Sequence, residues 1–188
     1  HVEYAFSCMG YEIPAAMGVK LALPDSEVVS IVGDGSYQML PMELATVAQE
    51  GIKVIYVLLQ NYGFASIGAL SESHGSQRFG TRYRKGGAGA SHTADGELLG
   101  VDIAANARSW GIDVIEVHGI DEFKDAYRRA VASDRPTMIH IETDLYGPNP
   151  PASSWWDVPV SQVSRIESTQ AAYQDYLRDR APQRHYLK

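Results

Sequence analysis

Two short, mainly apolar runs each end in a tight polar motif. Residues 28–32 read Val-Val-Ser-Ile-Val and lead into Gly33-Asp34-Gly35, whereas residues 54–59 lead into Gln60, Asn61, Tyr62 and Gly63. Strands that are apolar on both faces are typical of a parallel sheet covered by helices on each side. Because both polar motifs follow strands, they are expected at the carboxyl edge of the sheet, where ligands bind in such folds.

Helical and strand patterns alternate along the chain. Strand patterns cover residues 27–32, 53–60, 113–117 and 137–142, and helical patterns cover residues 9–21, 41–48, 102–110, 121–132 and 161–177. Strands that alternate with helices form parallel βαβ units rather than a meander. We therefore predict a doubly wound α/β fold, with a mostly parallel sheet and helices on both faces.

Two regions depart from the alternation. Residues 68–100 are rich in Gly, Ser and His and are predicted to form a long loop, of a length that is usually functional or disordered. After residue 147, a proline-rich stretch precedes Trp155 and Trp156 and a polar helical tail. We predict a first domain over residues 1–147 and a C-terminal extension over residues 148–188, with the two tryptophans anchoring the extension on the sheet.

Composition limits the classes of partner. A chain of 188 residues with 45% hydrophobic content can bury one core, and a net charge of -7 argues against a nucleic-acid surface. No run of about 18 apolar residues is present to cross a membrane. The single cysteine, Cys8, is typical of the reducing cytoplasm and is predicted to be a small buried residue. An anionic ligand would need a metal ion to bind such a chain.

Asp34 and Asn61 are candidates for that metal. A carboxylate and an amide oxygen are ligands that Mg²⁺ prefers, and the glycines beside them let a diphosphate approach the backbone. Gly, Asp and Asn are also common in ordinary strand-end turns, so either motif alone leaves a purely structural role open. The occurrence of both motifs at two strand ends, with one helix between them, favours the metal site.

These motifs resemble the cofactor signature of the thiamine diphosphate enzymes, which runs from Gly-Asp-Gly to Asn-Asn at about this spacing. The resemblance implies that Asp34, the side chain of Asn61 and the carbonyl of Gly63 bind Mg²⁺. It also implies a group of residues that line the diphosphate, namely Gly33, Gly35, Ser36, Phe64 and Ile67. Gln60 departs from the pattern, since an Asn usually precedes the metal-binding Asn.

A second match lies upstream, where residues 7–11 and 14–18 resemble the segment that holds the junction of the aminopyrimidine and thiazolium rings. By this resemblance Met9 is the apolar wedge that keeps the cofactor bent, and the carbonyl of Ser7 accepts a hydrogen bond from the 4'-amino group. Without the cofactor motif, Met9 would be read as an ordinary core methionine.

Within the family, residues 3–12, 33–37 and 154–160 are similar to the hydrolases that open a cyclic 1,2-diketone in inositol catabolism. This resemblance implies thiamine diphosphate- and Mg²⁺-dependent cleavage of the ring C–C bond between two carbonyls of trihydroxycyclohexane-1,2-dione, giving 5-deoxy-glucuronate. These enzymes are about three times longer, so the chain corresponds to their C-terminal, diphosphate-binding domain. A glutamate on a pyrimidine-binding domain, of the same polypeptide or a neighbouring subunit, would activate the cofactor. The full-length protein is then expected to be a dimer or tetramer, and this part inactive alone.

Two other functions stay open at this point. A carboligase of the acetolactate synthase type or a 2-oxo acid decarboxylase would share every cofactor residue. A nucleotide-binding regulatory module would share the fold, although the chain lacks a Gly-x-Gly-x-x-Gly turn and a P-loop. No catalytic residue is certain in this part of the protein. His74 and His92, in the long loop, are the candidates for an acid or a base.

Overall fold

The structure, a computed structural model, describes residues 6–78, 80–86, 96–144 and 158–184. The strands in these ranges are β1 (Val29–Gly33), β2 (Ile55–Gln60), β3 (Asp113–Val117) and β4 (Thr137–Glu142). The helices are α1 (Glu12–Ala22), α2 (Asp34–Met39), α3 (Glu43–Gln49), α4 (Ala65–Ser73), α5 (Ile103–Ser109), α6 (Ile120–Ala132) and α7 (Glu167–Arg180). None of these helices combines the length and apolar character that a membrane crossing needs.

The four strands form one parallel sheet in the order β1-β2-β4-β3, which confirms the predicted doubly wound α/β fold. Gly33 is paired with Leu59, and Gln60 is paired with Glu142. The carboxyl ends of β1, β2 and β4 therefore finish at nearly the same level. Whatever follows these three strands is brought to one edge of the sheet.

Helices cover both faces of the sheet at its centre, whereas Val29 and Ile31 of β1 are exposed on one face. Alternate side chains of β2 point to opposite faces, so Tyr56 and Leu58 join one buried cluster and Ile55 joins another. The first cluster includes residues of α1, α3 and α5, and the second includes Ala126 and Ala130 of α6. This two-sided burial explains why β2 reads as a continuous apolar run in the sequence.

Most predicted elements are present, and β3 and β4 have the predicted bounds. Two helices were missed. α2 has only six residues and begins at Asp34 itself, within the Gly-Asp-Gly motif that was predicted as part of a metal site and not as the start of a helix. α4 ends at Ser73, so the prediction of a loop from residue 68 was wrong for its first six residues. Both segments contain Gly and Ser, whose helix propensity is low. Tertiary packing outweighs this low propensity.

The chain divides into two compact units, residues 1–63 with 99–145 and residues 64–98 with 146–188. In the second unit, the hydroxyl groups of Ser168 and Thr169 each donate a 2.7 Å hydrogen bond to the carbonyl of Gly75, which joins α7 to the turn after α4. The division at residue 147 stays a prediction, and Trp155 and Trp156 lie outside the described residues.

Candidate cofactor and metal site

Asp34 lies at the end of β1 and is 1% exposed. Its Oδ2 accepts hydrogen bonds from the backbone nitrogens of Asn61 (3.2 Å), Tyr62 (2.6 Å) and Gly63 (3.3 Å). Its Oδ1 accepts a 2.9 Å bond from the nitrogen of Gly35. The two motifs that the sequence placed at one edge are thus brought into direct contact, and a single carboxylate organises the loop after β2.

Burial raises the pKa of the Asp34 carboxyl above its usual value, although hydrogen bonds from Tyr62, Gly35, Gly63 and Asn61 act in the opposite direction. The loss of water around the carboxylate therefore outweighs the gain from four backbone donors. A cation beside Asp34 would restore the balance, because an opposite charge stabilises the ionised form.

The side chain of Asn61 is the second part of the site. As placed, its amide oxygen lies 2.9 Å from the carbonyl oxygen of Gly63 and 3.3 Å from Asp34 Oδ1, where a reversed amide would donate hydrogen bonds to both. Neighbouring oxygens around octahedral Mg²⁺ are about 3 Å apart, since each lies about 2.1 Å from the ion. The three predicted ligands thus form a donor set that fits Mg²⁺. When no ion is bound, the reversed Asn61 amide donates hydrogen bonds to the oxygens of Gly63 and Asp34.

Tyr62 has a backbone φ of +60°, in the left-handed region that bulky residues rarely adopt. Its phenol donates a 2.6 Å hydrogen bond to Glu142 Oε1 at the end of β4. Burial, followed by the contact with Glu142, raises the pKa of Tyr62 to about 12. Sequence reasoning missed both residues. The available signal was a large residue between Asn61 and Gly63, where a tight turn favours Gly or Asn.

Gln60 departs from the family pattern, and its contacts give a physical reason. Its Nε2 donates to the carbonyl of Val101 at 2.9 Å, while its Oε1 lies 2.7 Å from His140 Nε2. A side chain one methylene shorter would not reach both partners from the same backbone position. Burial lowers the pKa of His140, and nearby Glu116 among other acidic groups partly offsets that effect. The hydrogen bonds of Gln60 and His140 therefore stabilise the end of β2, next to Asn61.

Ser36, predicted to line a diphosphate, is already hydrogen-bonded on both sides. Its hydroxyl donates to Glu12 Oε2 at 2.6 Å and accepts from the nitrogen of Gly10 at 2.7 Å. In front of Gly33 the space is open, since a Cβ added there would meet no heavy atom within 4 Å. Gly33 is half-buried and Gly35 is buried, so the backbone at Gly33 is the accessible part of the predicted diphosphate site.

Ser7 and Met9 lie just before α1. Ser7 has a φ of +48°, and Met9 is 37% exposed. The prediction that Cys8 is buried was wrong, because the side chain of Cys8 is exposed. A groove of about 720 Å³ beside α1 and β1 includes Ser7 and Met9 in its lining, but neither Asp34 nor Asn61. The two predicted halves of the cofactor site are thus not enclosed in one cavity.

The remaining candidates belong to the second unit. Phe64 precedes α4 and packs edge-to-face against Tyr83, with ring centroids 5.8 Å apart. Ile67 is 50% exposed. His74 Nδ1 lies 3.0 Å from the carbonyl of Leu70, so that side chain is engaged by its own helix. His92 lies outside the described residues. The roles assigned to these four residues stay predictions.

Comparison with known proteins places this geometry in a family. Residues 1–141 match the model described as "Thiamine pyrophosphate enzyme, C-terminal TPP binding domain". The chain is 38% identical over 186 residues to 3D-(3,5/4)-trihydroxycyclohexane-1,2-dione hydrolase of Bacillus cereus (strain AH820), a match that covers 99% of this chain and 29% of the relative. The enzyme of the same name from Bacillus thuringiensis (strain Al Hakam) is 37% identical, again over 99% of this chain and 29% of the relative.

Solved structures agree on the fold. The chain is similar to the thiamine diphosphate-dependent 4-hydroxybenzoylformate decarboxylase of Rhodococcus jostii RHA1, with a TM-score of 0.58, 27% identity, and coverage of 72% of this chain and 23% of that one. Benzoylformate decarboxylase of Polynucleobacter necessarius matches with a TM-score of 0.59 and 24% identity, over 74% of this chain and 24% of that one. This second likeness shows the fold alone.

Proposed function

Because the chain belongs to the thiamine pyrophosphate enzymes, as their C-terminal TPP-binding domain, we propose that it is the cofactor-binding part of a hydrolase that cleaves a ring C–C bond of trihydroxycyclohexane-1,2-dione. The observation that supports this substrate is the 38% identity, over 99% of the chain, to hydrolases with that name. The chain spans 29% of the length of those relatives. The activity is accordingly a proposal for the full-length protein and not for this part alone.

In this proposal Mg²⁺ binds to Asp34, the amide oxygen of Asn61 and the carbonyl of Gly63. The proposal is supported by the position of the Asn61 amide, 2.9 Å from the Gly63 carbonyl oxygen and 3.3 Å from Asp34 Oδ1, and by the burial that raises the pKa of Asp34. The diphosphate would bind along the backbone of Gly33 and Gly35, with the other predicted diphosphate residues Ser36, Phe64 and Ile67. Ser7 and Met9 would contact the rings.

Thiamine diphosphate, when bound, supplies the nucleophilic carbon and the electron sink for C–C cleavage. The residues of this chain bind and orient. Asp34 contributes a negative charge that offsets one of the two charges of the metal ion. The loop after β2, which is hydrogen-bonded to Asp34, carries the two other proposed ligand oxygens, those of Asn61 and Gly63. The proton-transferring glutamate is expected on a pyrimidine-binding domain of the same polypeptide or a neighbouring subunit, in a cytoplasmic homodimer or homotetramer.

A second candidate is a 2-oxo acid decarboxylase or an acetolactate synthase-like carboligase. It is favoured by the 27% identity to the decarboxylase of Rhodococcus jostii RHA1. Both candidates use the same cofactor residues, and they differ in the substrate. Assay of the full-length protein with the trihydroxy-dione and with pyruvate separates them. Hydrolysis of the dione supports the first candidate, and turnover of pyruvate alone would overturn it.

The ligand assignment is tested separately by calorimetry on the full-length protein with thiamine diphosphate and Mg²⁺. We expect Asp34→Ala and Asn61→Ala to abolish detectable binding. Asp121→Ala is the control, since this carboxylate is 89% exposed on α6 and makes only a surface ion pair with Lys124. Unchanged affinity in both site variants would refute the assignment. Absence of binding in the unaltered protein would refute the cofactor itself.

A further inference from the structure

Tyr62 combines two features that are unusual together. Its backbone is left-handed, with a φ of +60°, although a tyrosine pays a steric penalty there that Gly avoids and Asn largely tolerates. Its nitrogen also makes the shortest bond to Asp34 Oδ2, 2.6 Å against 3.2 Å for Asn61 and 3.3 Å for Gly63. A strained residue persists only where its surroundings determine its conformation, so a second contact is required to hold Tyr62 in place.

That second contact is the phenol. Tyr62 Oη donates to Glu142 Oε1 at 2.6 Å, across 80 positions of sequence. Glu142 is the last residue of β4 and is paired with Gln60, the last residue of β2. The loop after β2 is therefore attached to β1 through its backbone and to β4 through one side chain. A charged acceptor makes this bond stronger than a neutral one.

We infer that Tyr62 is a positioning residue, whose hydrogen bond to Glu142 keeps Tyr62 in the left-handed conformation and thereby holds the loop of residues 61–63 with the Asn61 amide beside Asp34 and the Gly63 carbonyl. Tyr62 itself touches no reacting atom. A Gly at this position would adopt the same φ without strain but would leave the loop unattached to β4. The step from loop to metal affinity rests on the proposed function, whereas the step from Tyr62 to loop order does not.

The first test measures loop order in the full-length protein without metal or cofactor. Hydrogen–deuterium exchange is followed by mass spectrometry on the peptide that contains residues 61–63. We expect Tyr62→Phe to exchange about tenfold faster at these amides, since it loses one hydrogen bond to a carboxylate. Tyr37→Phe is the matched control, because it loses a 2.8 Å phenol bond to Asn106 that joins α2 to α5. It should leave exchange at 61–63 unchanged even if the melting temperature falls.

A double-mutant cycle with Glu142 makes the test specific. Glu142→Ala should accelerate exchange as much as Tyr62→Phe, and the double variant should exchange no faster than either single variant. Glu142→Gln keeps an acceptor oxygen and should restore most of the protection. Additive effects, or wild-type exchange in Tyr62→Phe, would overturn the inference. If Tyr62→Phe fails to fold, the Glu142 variants decide the question alone.

The last arm connects the loop to the metal. In the presence of thiamine diphosphate, Mg²⁺ is titrated into the full-length protein, with Mn²⁺ as a spectroscopic substitute. We expect Tyr62→Phe to weaken the apparent metal affinity about tenfold, equivalent to one lost hydrogen bond, and Tyr37→Phe to leave it unchanged. Faster exchange with unaltered metal affinity would remove the positioning role. If the unaltered protein binds no cofactor, the proposed function fails, and the exchange data still judge the Tyr62–Glu142 contact.

Discussion

The carboxylate of Asp34 and the backbone nitrogen of Tyr62 are joined by a 2.6 Å hydrogen bond, although 28 positions separate them in the sequence. This bond connects the residue that follows β1 to the loop that follows β2. The same carboxylate is buried, and burial raises its pKa. Asp34 therefore stabilises the loop by its hydrogen bonds and destabilises the metal-free protein by its charge.

Two substitutions of Asp34 separate these effects. We expect Asp34→Asn to cost the metal-free protein only ~1 kcal/mol in the free energy of unfolding, because its amide oxygen still accepts from the loop nitrogens and no charge is buried, while its NH2 group cannot accept from the Gly35 nitrogen. Asp34→Ala should cost ~3 kcal/mol, since it leaves the backbone donors without an acceptor. Denaturant titrations with and without Mg²⁺ and thiamine diphosphate measure both. Only the unaltered protein should gain stability from the ligands. Equal losses for Asn and Ala would contradict the charge argument.

The hydroxyl of Ser36 is predicted to stabilise the protein before any cofactor binds. Ser36→Ala removes the acceptor of the buried Gly10 nitrogen and the donor to Glu12. We expect a loss of about 1–3 kcal/mol in metal-free unfolding experiments, which is the cost of leaving a buried donor unpaired. Ser109→Ala is the control, because its exposed hydroxyl bonds only the carbonyl of Asn106 within α5. A Ser36→Ala variant as stable as the control would leave the diphosphate as the main partner of this hydroxyl.

Gly10 has a φ of +90°, and a Cβ there would lie 3.0 Å from Met39 Cβ and 3.2 Å from Leu40 Cβ. Gly51 also has a positive φ, +60°, but no heavy atom lies within 4 Å of its Cβ position. Both Ala variants carry backbone strain, and only Gly10→Ala adds a steric contact. We expect Gly10→Ala to be less stable than Gly51→Ala by about 1 kcal/mol. Thermal unfolding of both variants provides the comparison, and equal stabilities would exclude the predicted contact with α2.

The lowered pKa of His140 determines part of the pH dependence of the free energy of unfolding. Burial lowers its pKa below 6.5, so the unfolded chain binds a proton at a higher pH than the folded protein does. Stability from this group is present above about pH 6.5 and is lost as the pH falls through the lowered pKa, by at most about 1.4 kcal/mol per pH unit. His140→Gln cannot take up that proton and should show a shallower loss. Urea unfolding across this range measures it, and identical slopes for the two proteins would count against a neutral buried His140.

Sequence reasoning located the two halves of the candidate metal site because its signals are local. Apolar runs define the strands, and the fold rule for parallel sheets brings their carboxyl ends together. Asp34 and Asn61 follow directly from these two facts. The helix that begins at Asp34 was not predicted, because its first residues have turn chemistry and its buried face depends on contacts with distant strands.

Contacts between distant side chains were beyond a single sequence. Nothing local in Tyr62 or Glu142 indicates a bond across 80 positions, and the partner of Ser36 depends on how α1 packs on β1. Gln60 was noticed as a departure from a pattern, but its reason required the positions of Val101 and His140. Such partners are fixed by strand register and helix packing, which a composition or a spacing does not encode.

The loop after β2 is hydrogen-bonded to Asp34 and to Glu142, and the preceding residue, Gln60, is hydrogen-bonded to His140. It is thus ordered in advance of any ligand. A preorganised loop gives up little conformational entropy when an ion or an anion binds, so the affinity is determined by charge and dehydration. The heat capacity change of binding should then correspond to the surface that the ligand covers, without the additional contribution that accompanies the folding of a loop.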